Sequence, residues 1–266
     1  MNYRTLGNSD LRVSTIGFGC WAIVGGFNWG PQDEKDSLAA LRAAYDAGIN
    51  FFDTAEGYGD GYSEELIARA LGAQRDEIII ASKASPSHFT PGALRKACED
   101  SLRRLRTDYI DLYQLHWPSP EVPLTETLST LADLRQEGKI REAGVSNFGT
   151  ASLKTCVQQG TGIVSNQMAY SLLFRAIEDD ILPFCNANDM SVLCYSPIMQ
   201  GLLAGKFATP DDVPEDRART RHFAGSRPQA RHGEDGAESE TFRAIDRIRE
   251  VTKATGESMA HVALAW

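Results

Sequence analysis

Apolar residues in this chain come in short runs, each followed by a polar loop and then by a stretch with helical spacing. The runs occupy residues 15–20, 49–53, 77–82, 109–115, 140–146, 162–167 and 191–195. Their spacing, about thirty residues, suits a strand, a crossover helix and the next strand. Between them, residues 34–47 place Leu38, Leu41 and Tyr45 on one face, and Gly48 follows as a stop signal. Thr90 and Pro91 predict a helix start, with Thr as N-cap and Pro at the first helical position. Its inner face carries Leu94, Cys98, Leu102 and Leu105. Residues 125–137 add Leu128, Leu131 and Leu134, closed by Gly138. The first segment, YRTLGNSDLRVS, alternates around Gly7, Asn8, Ser9 and Asp10 and predicts a β-hairpin.

Repeated βα units imply a parallel sheet covered by helices. Either an open doubly wound sheet or a closed (β/α)8 barrel fits. Residues 208–239 break the rhythm: they are polar, charged and rich in Pro and Gly. They predict a flexible lid or a loop ordered by a ligand. No linker divides the chain, so residues 1–266 read as a single domain.

The net charge of −9 is diffuse and argues against nucleic acid or an anionic membrane as the main partner. Five cysteines, odd in number and widely spaced without a C-x-x-C pair, suggest reduced thiols in a cytoplasmic protein. The first ten residues lack the apolar core of a signal peptide, and no apolar run is long enough to span a bilayer.

Polar residues punctuate the strand ends. Asp53 ends the second run, Lys83 the third and His116 the fourth; Ser146 and Asn147 end the fifth, Gln167 the sixth, Tyr195 and Ser196 the seventh. In a parallel sheet these ends share one edge, where both architectures bind ligands. Tyr58 lies one glycine-rich loop beyond Asp53. A phenol with its ordinary pKa near ~10 is a poor proton donor at neutral pH. A nearby ammonium favours the phenolate, and lowering the pKa by ~3 units requires about 4 kcal/mol. Burial would strip the lysine of its proton, and a carboxylate beside it opposes that loss. The expected order is that Asp53 holds Lys83 charged, Lys83 acidifies Tyr58, and Tyr58 protonates a substrate oxygen that His116 orients. This is acid catalysis of carbonyl reduction, and the hydride must come from a cofactor.

At this point the chain resembles the aldo-keto reductases. The similarity runs in order through YRTLGNSDLRVSTIGFGCW, DTAEGYGDGYSEE, ASK (81–83), LYQLHWP (112–118), GKIREAGVSNF (138–148), NQMAYS (166–171) and YSPIMQGLLAGKF (195–207). The family's tetrad of Asp, Tyr, Lys and His falls on Asp53, Tyr58, Lys83 and His116. The resemblance implies a (β/α)8 TIM barrel whose floor is closed by the N-terminal hairpin. It implies reduction of a small aldehyde or ketone with NADPH, NADH remaining open as the cofactor. Ser146, Asn147 and Gln167 would hold the carboxamide, with Asp53 bordering the same site, and Tyr195 would stack on the nicotinamide ring. Ser196 to Lys206, with Gly201, Leu203 and Gly205, would pass along the pyrophosphate, and Gly19, Cys20 and Trp21 would line the ribose side. Trp29 and Trp117 adjoin the mouth and are expected to line a substrate pocket with Tyr58 and His116. The alternative is a non-catalytic dinucleotide-sensing subunit, since potassium-channel beta subunits share the fold and keep a tetrad.

GFGCWA (17–22) fits a G-x-G-x-x-A dinucleotide fingerprint, but the residues after it do not open a helix, which the fingerprint needs. His222 and His232 sit in the polar segment without metal-ligand spacing and read as surface residues, so no metal site is expected. The chain stops at MAHVALAW, inside an amphipathic helix carrying Val262, Leu264 and Trp266. Seven strands stand where the resemblance implies eight. The last βα unit, with the contacts to the adenosine 2′-phosphate, is expected to lie outside this sequence.

Overall fold

A computed structural model describes residues 1–26 and 29–266. The chain gathers into two compact units: Met1–Met168 with Asp179–Leu193, and Ala169–Glu178 with Cys194–Trp266.

The first unit opens with strands β1 (Tyr3–Thr5) and β2 (Arg12–Ser14), an antiparallel hairpin with Tyr3 opposite Ser14. Strand β3 (Phe18–Gly19) is shorter than its apolar run, because Thr15 N–H donates to Asn2 O and binds that end to the hairpin. The expected units follow: α1 (Glu34–Asp46), β4 (Phe51–Asp53), α2 (Tyr62–Leu71), β5 (Ile79–Ala84), α3 (Pro91–Leu105), β6 (Ile110–Leu115) and α4 (Leu124–Gln136). Then come β7 (Ile140–Ser146), α5 (Thr150–Gln158), β8 (Ile163–Ala169), α6 (Ile181–Ala187) and β9 (Ser191–Tyr195). The strands form one sheet in the order β3-β4-β5-β6-β7-β8-β9, and β3 through β8 pair in parallel. Among the described residues β3 and β9 are its ends. After β3 the chain makes a 3-10 turn at Ala22–Val24, where the glycine fingerprint needs an α-helix to begin.

Helix α1 is capped by Asp33, whose side chain accepts from Lys35 N–H and Asp36 N–H. Thr90 takes the extended N-cap conformation ahead of Pro91, but its hydroxyl makes no cap bond. Outward-facing strand residues pack with the helices: Phe52, Ile80, Tyr113, Leu115 and Val145 join Leu41, Leu66, Leu94, Leu131 and Leu153 in one buried cluster. Inward-facing residues form a second cluster, Phe51, Ile79, Ala81, Leu112 and Val164, which meets Leu6, Leu11 and Val13 of the hairpin region. The hairpin therefore floors the inner face of the sheet, as expected.

The second unit holds a 3-10 segment (Met199–Ala204) and helices α7 (Glu238–Thr255) and α8 (Met259–Ala265). Its core joins Leu202, Leu203, Val213, Ala218, Phe223, Phe242, Ile245 and Met259. Within the 208–239 segment Val213, Ala218 and Phe223 are buried in that core. Arg227 ties it to α7 through Glu238 Oε1 at 2.7 Å. On α8 the buried residues are Met259 and Ala263; Leu264 and Trp266 are exposed, and Trp266 packs against Tyr170.

Candidate active site

Strand alternation selects the site. On β4, β5 and β6 the same inward face carries Asp53, Lys83 and Gln114 at the carboxyl ends. Lys83 is fully buried. Its Nζ donates to Asp53 Oδ1 at 2.5 Å, Thr54 O at 2.7 Å and Tyr58 Oη at 3.3 Å, so all three ammonium protons have partners. Asp53 Oδ2 accepts from Gln167 Nε2 at 2.8 Å and Gln114 Nε2 at 3.2 Å. The His116 ring stands edge-on to Tyr58, with centroids 5.8 Å apart. The four residues expected as a tetrad therefore lie together.

The Tyr58 loop is anchored from several sides. Ser63 N–H donates to Tyr58 O, and Ser63 Oγ donates to Cys20 O while accepting from Thr54 Oγ1. Glu56 Oε1 accepts from Ser85 N–H and contacts His88 Nδ1, tying the loop to the turn after β5. Gly61 has φ +91°, and a Cβ there would lie 2.3 Å from Arg104 Nε, whose guanidinium pairs with the buried Glu64. A larger residue at Gly61 would displace this pair.

Of the residues expected around a cofactor, Gly19 pairs in register with Asp53, and a Cβ built on it meets no atom within 4 Å. Cys20 is buried. Trp21 stacks on Tyr58 with centroids 5.9 Å apart, and Trp29 meets Trp21 edge-on at 5.5 Å. Trp117 is half exposed. Ser146 Oγ donates to Gln167 O, and Asn147, at φ +64°, donates from Nδ2 to His116 O and Ser146 Oγ. In the second unit Ser196, Gly201 and Gly205 all have positive φ. Leu203 is fully buried in that unit's core, its N–H donating to Ile198 O; Lys206 is exposed, and Tyr195 O accepts from Tyr170 N–H.

The profile of the Aldo/keto reductase family matches residues 15–266. The chain belongs to the aldo/keto reductase family. It is similar to the aldo-keto reductase YhdN of Bacillus subtilis, 35% identical over all of this chain and 81% of that protein. It is also 35% identical to the NADH-specific methylglyoxal reductase of Escherichia coli, over 79% of this chain and 71% of that one. Among solved structures, the glycerol dehydrogenase AKR11B4 of Gluconobacter oxydans superposes with a TM-score of 0.83 at 32% identity, over 98% of this chain and 81% of that one. An aldo/keto reductase of Klebsiella pneumoniae in complex with NADP and acetate gives 0.74 at 32% identity, over 98% of this chain and 79% of that one. The parallel sheet with its antiparallel hairpin is the barrel fold of this family of oxidoreductases.

The electrostatics of this aldo/keto reductase depart from the sequence expectation at one point. Burial pushes the Tyr58 phenol up, and the lowering by Lys83 does not overcome it. Burial pulls Lys83 down, but Asp53 and Tyr58 outweigh it, so the ammonium is held more firmly than in water. His116 is pushed down to about 4, first by burial and then by the Lys83 charge. Its imidazole is neutral at neutral pH. Gln114, which binds Asp53, has no counterpart in the expected set. Its signal was a polar residue two positions from Leu112 in YIDLYQL, on the strand face opposite to that of Asp111. No described helix is long and apolar enough to cross a membrane.

Proposed function

We propose that this chain is an NAD(P)H-dependent reductase that converts an aldehyde or ketone to an alcohol, with Tyr58 as the proton donor. The observation that carries the reading is the buried Lys83 ammonium, which binds Asp53 and Tyr58 at once at the carboxyl edge of a parallel sheet. The residues fit a nicotinamide dinucleotide. Gly19 leaves open space beside Asp53, where a side chain would intrude, and Ser146 and Asn147 lie at the same edge, linked to each other, to Gln167 O and to His116 O. Ser146, Asn147 and Gln167 are the proposed carboxamide ligands, and Tyr195, Ser196, Gly201, Leu203, Gly205 and Lys206 the proposed segment for the rest of the dinucleotide. Its nicotinamide supplies the hydride when bound.

The chain's own residues divide the proton chemistry. Tyr58 keeps its proton on Oη at neutral pH because burial disfavours the phenolate. Once that proton is given to the carbonyl oxygen, the Lys83 ammonium at 3.3 Å stabilises the phenolate left behind. Asp53 keeps Lys83 charged. The neutral His116 ring donates an N–H to the same oxygen and fixes its direction. Trp21 stacks beside the phenol, its ring centroid 5.9 Å away. NADPH is the proposed cofactor and NADH the second candidate, because one solved relative carries NADP and one curated relative is NADH-specific. The substrate class is a small carbonyl compound, in keeping with the methylglyoxal reductases among the relatives.

The test is loss of reduced-nicotinamide absorbance on mixing the protein with NADPH and methylglyoxal or a simple aldehyde. Turnover that requires the protein supports the reading. Tight dinucleotide binding with no turnover on any carbonyl compound would contradict it and favour a sensing subunit.

A further inference from the structure

One buried amide beneath the tetrad takes no part in the chemistry above. Gln114 lies in register between Lys83 of β5 and Gly144 of β7 and is fully buried. Its Nε2 donates to Asp53 Oδ2, the oxygen that Gln167 Nε2 also serves. A carboxylate only accepts, so turning the amide round would set oxygen against oxygen. Its Oε1 points away and has no protein partner. Gly144 makes the room: a Cβ there would lie 2.7 Å from Ser165 Oγ and 3.1 Å from Gln114 Cγ.

We propose that Gln114 is a positioning residue that holds Asp53 Oδ2, keeping Oδ1 on Lys83 while Gln167 serves the cofactor. The inference rests on the reductase reading of this site. Among the described residues Asp53 is the only counter-charge bonded to the buried Lys83, and its second oxygen accepts from two amides. Gln167 is shared with the proposed carboxamide site. Gln114 is enclosed by the sheet and has no such competing partner. The charged and titratable groups around it are Asp53 on β4, Lys83 on β5, His116 beyond the end of its own strand, and Glu142 on β7, which pairs with Arg135 at 2.8 Å. The β8 neighbours, Ser165 and Gln167, are neutral.

Two variants test this. Gln114→Leu keeps the volume and removes the donor; kcat should fall about tenfold, with aldehyde KM and NADPH Kd within about twofold of the parent. Gln114→Glu keeps the shape but sets a second carboxyl against Asp53. Its kcat deficit should shrink as pH falls from about 8 to about 5, because the carboxyl at 114 takes up a proton and donates to Asp53 again.

A second readout needs neither cofactor nor substrate. A carboxyl that is easier to protonate folded than unfolded costs nothing at low pH and destabilises as pH rises through its folded pKa. The melting-temperature gap between Gln114→Glu and the parent should therefore widen with pH, and more than the gap produced by the same change in an Asp53→Asn background, where burial acts alone; equal widening in the two backgrounds would overturn the contact. A Gln114→Leu protein with parental kcat, or a gap that is flat with pH, would overturn the proposal. A parent that reduces no carbonyl compound would overturn the reductase reading instead, and a gap that widens more with Asp53 present than in the Asp53→Asn background would still uphold the Gln114–Asp53 contact.

Discussion

Phe51 and Asp53 stand on one face of β4, as do Ala81 and Lys83 on β5 and Leu112 and Gln114 on β6. The first of each pair belongs to a dry layer closed by Leu6, Leu11 and Val13. The second belongs to a polar layer in which Lys83 Nζ and both Asp53 oxygens have named partners, while Gln114 Oε1 has none. One step of the strand repeat, about 7 Å, separates packing from chemistry. The lower layer holds the strands in place, and the upper layer uses the strand ends as fixed mounts. A buried ammonium is tolerated there because Asp53, Thr54 O and Tyr58 Oη take its three protons.

The two layers should respond differently to substitution. The largest effect is expected in the upper one. Lys83→Met removes the charge that stabilises the phenolate and leaves Asp53 with amide partners only. Carbonyl turnover should fall by about a thousandfold or more in steady-state assays. Stability should drop by about 3 kcal/mol in denaturant titration, as expected when one partner of a buried pair is removed. Leu112→Ala in the lower layer should reverse the pattern. It should cost about 3 kcal/mol of stability through a cavity, with kcat per folded molecule within about twofold of the parent. Comparable kcat losses in the two variants would break the distinction.

A smaller effect separates the layers by pH. His116 is pushed from its ordinary 6.5 down to about 4. As pH falls through that window the unfolded chain takes up the proton first, so the folded state loses stability, by up to about 3 kcal/mol. Above pH 6.5 both states are neutral and this contribution is constant. The parent's melting temperature should fall more steeply than that of His116→Gln between pH 6.5 and 4. Parallel slopes would mean that the ring is not held neutral by its surroundings.

Much of this was legible in the sequence, because period and position carry the information. Short apolar runs mark the strands, and a polar residue closing each run marks the shared edge, so Asp53, Lys83 and His116 could be placed before any coordinates. Gln114 was hidden for the opposite reason: it sits inside a run, and only the parity of the strand shows that it faces Asp53 rather than the helices. The state of Tyr58 depends on a competition that residue types do not rank. The Lys83 charge was visible, but the depth of burial that outweighs it was not. Likewise Thr90 looked like a side-chain cap, yet Pro91 alone gives the helix its start, the hydroxyl adding no bond. In 208–239 the abundance of charge concealed Val213, Ala218 and Phe223, which are buried in the core of the second unit.

The central claim is that Tyr58 is the proton donor, and Tyr58→Phe tests it most directly, since it removes one oxygen and keeps the ring that stacks on Trp21. Carbonyl reduction by the parent and the variant would be measured beside dinucleotide affinity. The account predicts that kcat falls by about a thousandfold or more while Kd for NADPH stays within about twofold. A Tyr58→Phe protein that reduces the same carbonyl compound at the parental rate would contradict it.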